Sequence, residues 1–293
     1  MENILVSILM PVYNEEGFIK STLESIQHQT HKNIEVIIVD DYSNDSTWNI
    51  IKEISIEDSR IKIIKNKTKG KVNAINLAWK ESSGSMIVFL GGDDILPPNS
   101  IYVRLKNLLY RNADVSTGKI KTFSEFKNYN NILYPKKNQP NLSGGATAFS
   151  RNFAKKIFPI PPILPNEDTW TELHIQYLDA NIVWSEDIIL YYRIHSNNSM
   201  GFDASFNIKN DIISKRKKAL DYFKTKFESE LSTDDIIKLQ EKIKLESYRY
   251  NKDIIGVLFK NQSHYKEKLQ ALAYSSPFIY ATRKALNKYL SGL

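Results

Sequence analysis

Four short segments concentrate side chains able to bind an ion or shape a ligand site: PVYNEE at Pro11–Glu16, DDYSND at Asp40–Asp45, NKTKGK at Asn66–Lys71 and GGDD at Gly91–Asp94. Two of them carry adjacent carboxylates. Such pairs repel unless a cation or donors lie between them, and a hard divalent ion shared with phosphate oxygens meets that need. Asp93 and Asp94 are therefore candidate metal ligands, expected in an exposed turn. Asp40 and Asp41 have a competing reading as turn or capping residues, because Asx side chains bond local backbone. Tyr13, beside acids, could wall a flat base. Other nucleotide devices are excluded: there is no GxGxxG, and Gly70-Lys71 lacks the upstream glycine and the following Ser or Thr of a P-loop.

Each segment follows a run that reads as a strand: VSILM at Val6–Met10, IEVIIVD ending at Asp40, IKII at Ile61–Ile64 and MIVFL at Met86–Leu90. Helical spacing fills the intervals. Phe18, Ile19, Leu23 and Ile26 form one stripe, with Asn14 as expected cap; Trp48, Ile51 and Ile54 form a second after a cap within Asn44–Ser46; Val72–Trp79 is the third. This βαβαβαβ order predicts a parallel sheet with right-handed crossovers, an α/β fold of the doubly wound, Rossmann-like type. Ligands of such sheets sit beyond the carboxyl ends of the strands, where all four segments lie. Further on, Thr122–Leu142 reads as a long excursion or hairpin, GATAFS at Gly145–Ser150 as a short strand, Pro159–Pro165 as a break, Thr169–Leu178 as a helix, and Ile182–Trp184 and Ile188–Ile194 as two β-rich runs. Beyond Ser205 the text is helical and Lys-rich. A boundary near 205 therefore separates domains 1–205 and 206–293.

With 293 residues and no cysteine, the chain can build a full core without a disulfide framework. The formal charge of +7 suits an anionic ligand, lipid surface or nucleic acid without choosing between them. The N-terminal apolar run lacks the flanks of a signal peptide, and no stretch reaches the length of a membrane span, so a cytoplasmic or membrane-peripheral protein is expected.

Taken in order and at this spacing, SILMPVYNEE, VIIVDDYSNDST, NKTKGKVNAIN, FLGGDDILPP, NEDTWTELH and YRIHSNNS resemble the family 2 glycosyltransferases, inverting enzymes of the GT-A fold. The resemblance implies transfer of a sugar from a nucleotide diphosphate donor, a UDP- or dTDP-sugar, to an acceptor hydroxyl, assisted by Mn2+ or Mg2+. It assigns Tyr13 and Asp41 to base recognition, with Pro11, Glu15 and Asn66 around the nucleotide and Lys71 as a basic residue near it. Asp93 and Asp94 match the metal motif and Asp93 also the donor site, although Gly91 stands where the motif has its first acid. Asp168, with Glu167, matches the catalytic base; the same pair could merely open a helix, where acids are favoured by about 0.3 to 1 kcal/mol. His195 falls where related enzymes bring an imidazole to the metal or diphosphate. Trp170 is read as lining the acceptor site, with a place in the core as the alternative. His28, His31, His174 and His264 receive no function.

The implied partners are a nucleotide-sugar donor and a glycan or lipid-linked glycan acceptor, as in bacterial surface polysaccharide synthesis. Loss of catalysis in a nucleotide-sugar-binding module is the alternative that Gly91 keeps open. A nucleic-acid partner is disfavoured, because the basic residues crowd Lys209–Lys218, away from the strand ends. The C-terminal segment from Ser275 reads as an amphipathic helix, with Phe278, Ile279, Ala285, Leu286, Tyr289 and Leu290 on one side and Arg283, Lys284 and Lys288 on the other. With KRKK at Lys215–Lys218, it suits an anionic membrane surface, a docking stripe or an oligomer contact.

Overall fold

A computed structural model of the chain describes residues 1–124, 130–137, 139–196, 198 and 204–290, with side chains for all of these except 111 and 286–290. It divides into two compact units, one ending at Ile194 and the other running on from His195. The boundary expected near 205 lies beyond that division, next to residues 199–203, which are outside the described residues.

In the first unit β1 (Val6–Val12), β2 (Ile34–Asp40), β3 (Ile61–Lys65) and β4 (Met86–Phe89) run parallel, linked by α1 (Ile19–Gln27), α2 (Thr47–Glu57) and α3 (Lys71–Lys80). The order β3-β2-β1-β4 puts the first strand inside the sheet. Helices on both faces account for the unbroken apolar runs: Val36, Ile37, Ile38 and Val39 of β2 are all buried. On α1 the expected stripe holds, with Ile19, Leu23 and Ile26 in the core. Its cap does not. α1 has no side-chain cap, and Asn14, at φ 55°, instead accepts the Asn44 backbone N–H at 2.9 Å, tying the loop after β1 to the loop after β2.

Past α4 (Ser100–Leu109) the sheet continues as β5 (Val115–Ser124), β6 (Leu133–Tyr134), β7 (Thr147–Ser150) and β8 (Ile182–Ile194). β7 joins antiparallel to β4 and β5, and β8 lies parallel along the other edge of β5. The two β-rich runs after 182 are thus one strand, because register shifts opposite Lys119 absorb the polar Ser185–Asp187 break as bulges. The excursion from Thr122 begins as β5 and returns as β6; its residues 125–129 and 138 lie outside the described residues. Between β7 and β8 come α5 (Arg151–Ile157) and α6 (Asp168–Tyr177).

The second unit holds α7 (Phe206–Phe227), α8 (Thr233–Tyr250), α9 (Ile254–Phe259), α10 (Tyr265–Leu272) and α11 (Pro277–Leu290). Leu245, Val257 and Ala271 make a small core between α8, α9 and α10. Among the described residues no helix is long and apolar enough to cross a membrane. On α11 Phe278 is 79% exposed and Ala285 is also exposed, while Tyr280 turns inward and its hydroxyl donates to the Ala204 carbonyl at 3.0 Å. The side chains of Leu286, Lys288, Tyr289 and Leu290 lie outside the described set.

Candidate active site

The carboxyl ends of the first three strands meet through hydrogen bonds between their loops. The Asp41 N–H donates to the Val12 carbonyl and the Asn66 N–H to the Asp40 carbonyl, each at 2.8 Å. Glu15 N–H donates to Thr47 Oγ1 at 2.7 Å, and Ser46 N–H to Glu16 Oε2 at 2.9 Å. Asp41, buried at the rim, is no simple turn former. Its Oδ1 accepts from Asn66 Nδ2 and from Gly70 N–H, both at 2.8 Å, and its Oδ2 accepts the same Gly70 N–H at 3.0 Å. Gly70 reaches this position at φ 134°, a conformation that L side chains rarely adopt. A carboxylate offers about four lone-pair sites, so Asp41 keeps capacity for one more donor. Tyr13, in the loop after β1, is 44% exposed, with Lys69 Nζ 4.8 Å from its ring centroid.

The GGDD turn is less exposed than expected: Asp94 is only 6% accessible. The reason lies in its surroundings. Thr22 Oγ1 donates to the Gly92 carbonyl at 2.9 Å, and the Arg193 N–H donates to Asp94 Oδ1 at 3.0 Å, so α1 and β8 close over the turn. Burial, then the neighbouring Asp93, pushes the Asp94 carboxyl well above the usual carboxylate range. Glu15 shares this field: burial first, then Asp93 and Asp45, push it up to about 8, against the pull of Arg193 and Lys71. A side chain at 91 would start 2.5 Å from Asp93 Oδ1, so the missing acid leaves the space into which Asp93 folds back. Acids crowded and raised in this way fit a hard cation, which would remove the penalty of charging them. Among the described residues no three Asp, Glu or His side chains are grouped around one point, so an ion on Asp93 and Asp94 would complete its shell from phosphate oxygens and water.

Opposite this turn in the chain, Glu167 and Asp168 open α6. Asp168 Oδ1 accepts from the Gly144 N–H at 3.2 Å and Oδ2 from Asn166 Nδ2 at 2.6 Å. Gly144 permits this approach, since a Cβ there would sit 3.0 Å from Asp168 Oδ1. Glu167, 5% exposed, receives Lys71 Nζ on Oε1 at 3.0 Å, while its buried Oε2 has no partner among the described residues. Lys71, next to Gly70, thus joins the Asp41 corner to the acid pair.

The structure brings Tyr13, Asp41, Asn66 and Lys71 to one set of strand ends, with Pro11 at the end of β1, and joins Glu15, Asp93, Asp94 and Lys71 in one electrostatic neighbourhood. His195 opens the second unit, its backbone N–H donating to Asn198 Oδ1 at 2.7 Å; Asn197 and Ser199 of the same motif lie outside the described residues. Trp170 does not line an acceptor site. It is fully buried, with Nε1 donating to the Ile157 carbonyl at 2.8 Å and its ring 4.6 Å from that of His174. Among the other histidines, His31 bonds the distant Ile4 carbonyl, His174 bonds the Trp170 carbonyl one turn back and His264 caps α10. Sequence reading missed Arg193, Asn166 and Arg104. The first two sit inside quoted motifs, but nothing in their spacing announces the role. Arg104, buried in α4, donates to the carbonyls of Thr147 and Gly145 at 2.8 Å and of Ile189 at 3.2 Å, supporting the Gly144–Ala146 turn from beneath.

An α/β sheet with its polar groups gathered at the strand ends defines a class of ligand-binding enzyme folds, and comparison with known proteins narrows it. The profile described as Glycosyl transferase family 2 matches residues 7–158, more than half of the chain, and the chain belongs to that family. Among curated relatives, the UDP-Glc:alpha-D-GlcNAc-diphosphoundecaprenol beta-1,3-glucosyltransferase WfgD of Escherichia coli is 39% identical over 119 residues, 40% of this chain and 46% of the relative. The Escherichia coli enzyme WfaP, named for the same activity, is 50% identical over 91 residues, 31% of this chain and 36% of the relative. The chain thus spans less than half the length of these relatives. Solved structures share the fold: TarS 1-349 of Staphylococcus aureus in complex with UDP-GlcNAc has a TM-score of 0.62 at 18% identity, over 95% of this chain and 83% of that one. The mannosyltransferase PcManGT of Pyrobaculum calidifontis, in complex with GDP-Man and Mn2+, has a TM-score of 0.59 at 16% identity, over 96% and 75%. The fold is GT-A, with a mostly parallel sheet and added C-terminal helices.

Proposed function

We propose that the chain is an inverting glycosyltransferase that moves a sugar from a UDP- or dTDP-sugar to an acceptor hydroxyl on a glycan or lipid-linked glycan, at the cytoplasmic face of a membrane. One observation carries the reading: Lys71 Nζ stands 3.0 Å from Glu167 Oε1, with Lys71 next to the glycine that holds Asp41 and Glu167 next to Asp168. A ligand laid across Lys71 therefore has a base pocket at one end and a carboxylate base at the other. Asp41 accepts the ring N–H of the pyrimidine through its remaining lone pair, and Tyr13 covers the ring. Lys71 and the turn at Asp93 and Asp94 face the diphosphate.

Mn2+ or Mg2+ held by Asp93 and Asp94 would supply Lewis-acid stabilisation of the departing diphosphate. The chain's own groups do the rest. Gly144 and Asn166 orient Asp168, which accepts the proton of the acceptor hydroxyl as that oxygen attacks the anomeric carbon from the face opposite the nucleotide. General-base help of this kind is worth about 10²- to 10⁴-fold. Glu167 orients Lys71 and leaves Oε2 for a donor-sugar hydroxyl. WfgD and WfaP are named for the use of UDP-Glc and a diphosphoundecaprenol-linked sugar, which favours a UDP donor and a lipid-linked acceptor here. Thermal unfolding in the presence of UDP, dTDP or GDP with Mn2+ tests the reading, since a ligand of the folded state raises the melting temperature. Stabilisation by UDP or dTDP above that by GDP is expected; no response to any nucleotide contradicts it.

A further inference from the structure

The end of β8 is fastened to the carboxylate turn along its whole reach. Ile95 and Tyr191 exchange two backbone hydrogen bonds, at 3.0 and 2.8 Å. Two residues on, the Arg193 N–H donates to Asp94 Oδ1 at 3.0 Å, and its Nε donates to the Asp93 carbonyl at 2.7 Å. The guanidinium is itself held. It packs against two rings, 4.7 Å from the centroid of Phe18 and 4.4 Å from that of Phe123, and its Nη2 donates to Ser21 Oγ at 3.2 Å. An arginine packed against two rings and bonded at its edge has little rotamer freedom left, and a planar fork so fixed loses little more entropy in gripping the carbonyl. Arg193 therefore dictates where the peptide between Asp93 and Asp94 sits, and with it the directions of both carboxylates.

We propose that Arg193 is the positioning residue of the ion site: it touches neither donor nor acceptor, and acts by presetting the Asp93-Asp94 turn for a divalent cation. This inference rests on the metal reading of those two acids. Partners that orient metal ligands are worth about 10- to 100-fold in metal affinity, so Arg193→Met is expected to raise the Mn2+ concentration for half-maximal enhancement of UDP binding by about tenfold or more. Binding of UDP without metal should stay as in the parent, because Tyr13, Asp41 and Asn66 are untouched; that arm also reports that the variant is folded.

The measurement is calorimetric titration of UDP into the parent chain, Arg193→Met and Arg193→Lys over a Mn2+ series. Lys keeps the charge beside the rings but lacks the fork, so it is expected to recover only part of the loss, and it is read by the same criterion if the Met variant does not fold. An unchanged Mn2+ midpoint in whichever variant folds overturns the proposal while leaving the metal reading intact. A parent chain that binds UDP with no response to Mn2+ overturns the metal reading and this inference together, and that result is seen before any variant is made.

Discussion

Asp168 and Glu167 are neighbours with different surroundings, and their substitutions should separate. Asp168→Asn keeps a hydrogen-bonding side chain beside Gly144 and Asn166 but removes the proton acceptor, so kcat should fall by about 10²-fold or more with donor affinity little changed. Glu167→Gln breaks the ion pair with Lys71 and should weaken donor binding more than it slows the chemical step. Steady-state kinetics with separately measured donor affinity distinguish the two, and the reverse pattern would exchange their roles. Glu15 allows a pH test. Its carboxyl is raised from 4.5 to about 8, so the folded state keeps a proton that the unfolded chain releases. Its cost to stability is absent below about pH 4.5, grows as pH rises and is full above about 8. Glu15→Gln in the metal-free protein should raise the melting temperature at pH 8 and lose that advantage towards pH 4.5; a gain equal at all pH values contradicts the assignment. Trp170→Ala is expected to cost about 3 to 5 kcal/mol of stability, as a core truncation does, whereas Trp170→Phe, which loses the Ile157 bond and part of the buried ring, should cost less and leave acceptor KM unchanged.

At the level of elements, the first sheet strands and their helices were legible because their periodicity is undiluted: β2 is apolar on both faces and α1 carries one stripe. What sequence could not show is how elements from distant parts of the chain close over the site. Arg193 is separated from Asp93 by 100 residues, and Asp94 is buried where α1 and β8 close over the turn, so an apparently exposed turn became an interior one. Trp170 was misread for a related reason, since one helical turn of sequence does not say which side faces α5. Gly84 and Glu35 illustrate a junction equally hidden in sequence. A Cβ at Gly84 would lie 2.7 Å from the Leu5 carbonyl and the Ser7 nitrogen, so Gly84→Ala should destabilise by about 1 to 3 kcal/mol, the usual cost of overpacking, in chemical denaturation. Glu35 accepts from Ser7 Oγ at 2.6 Å and from the N–H groups of Ser83 and Gly84. Burial works to raise its carboxyl, but those hydrogen bonds outweigh it and leave it below 4.5. Its contribution is therefore present above pH 4.5 and lost as pH falls through the lowered value, so Glu35→Gln should flatten the acid limb of stability; an unaltered limb would show the junction does not depend on that charge.

Over the whole molecule, the surplus of +7 is concentrated where the second unit gathers its cations. Lys209 is lowered by burial first and then by Arg216 and Arg283 nearby, and a cluster held against its own repulsion favours anions. Exposed Phe278 on α11 and Phe259 on α9 add apolar groups to the same unit, as an interfacial surface requires. Sedimentation with anionic vesicles should show binding at low salt that weakens at high salt and on removal of the residues after Ser275; no binding at low salt, or binding indifferent to that removal, contradicts a membrane role for α11. None of this matters unless the strand ends hold a nucleotide. The decisive measurement is calorimetric titration of UDP with Mn2+ into the parent chain, Asp41→Ala and Asp94→Asn, each checked for an unchanged circular dichroism spectrum. Binding by the parent, weakened about tenfold or more by either substitution, is the predicted result; equal binding by all three folded proteins would mean that the nucleotide, if bound, lies elsewhere.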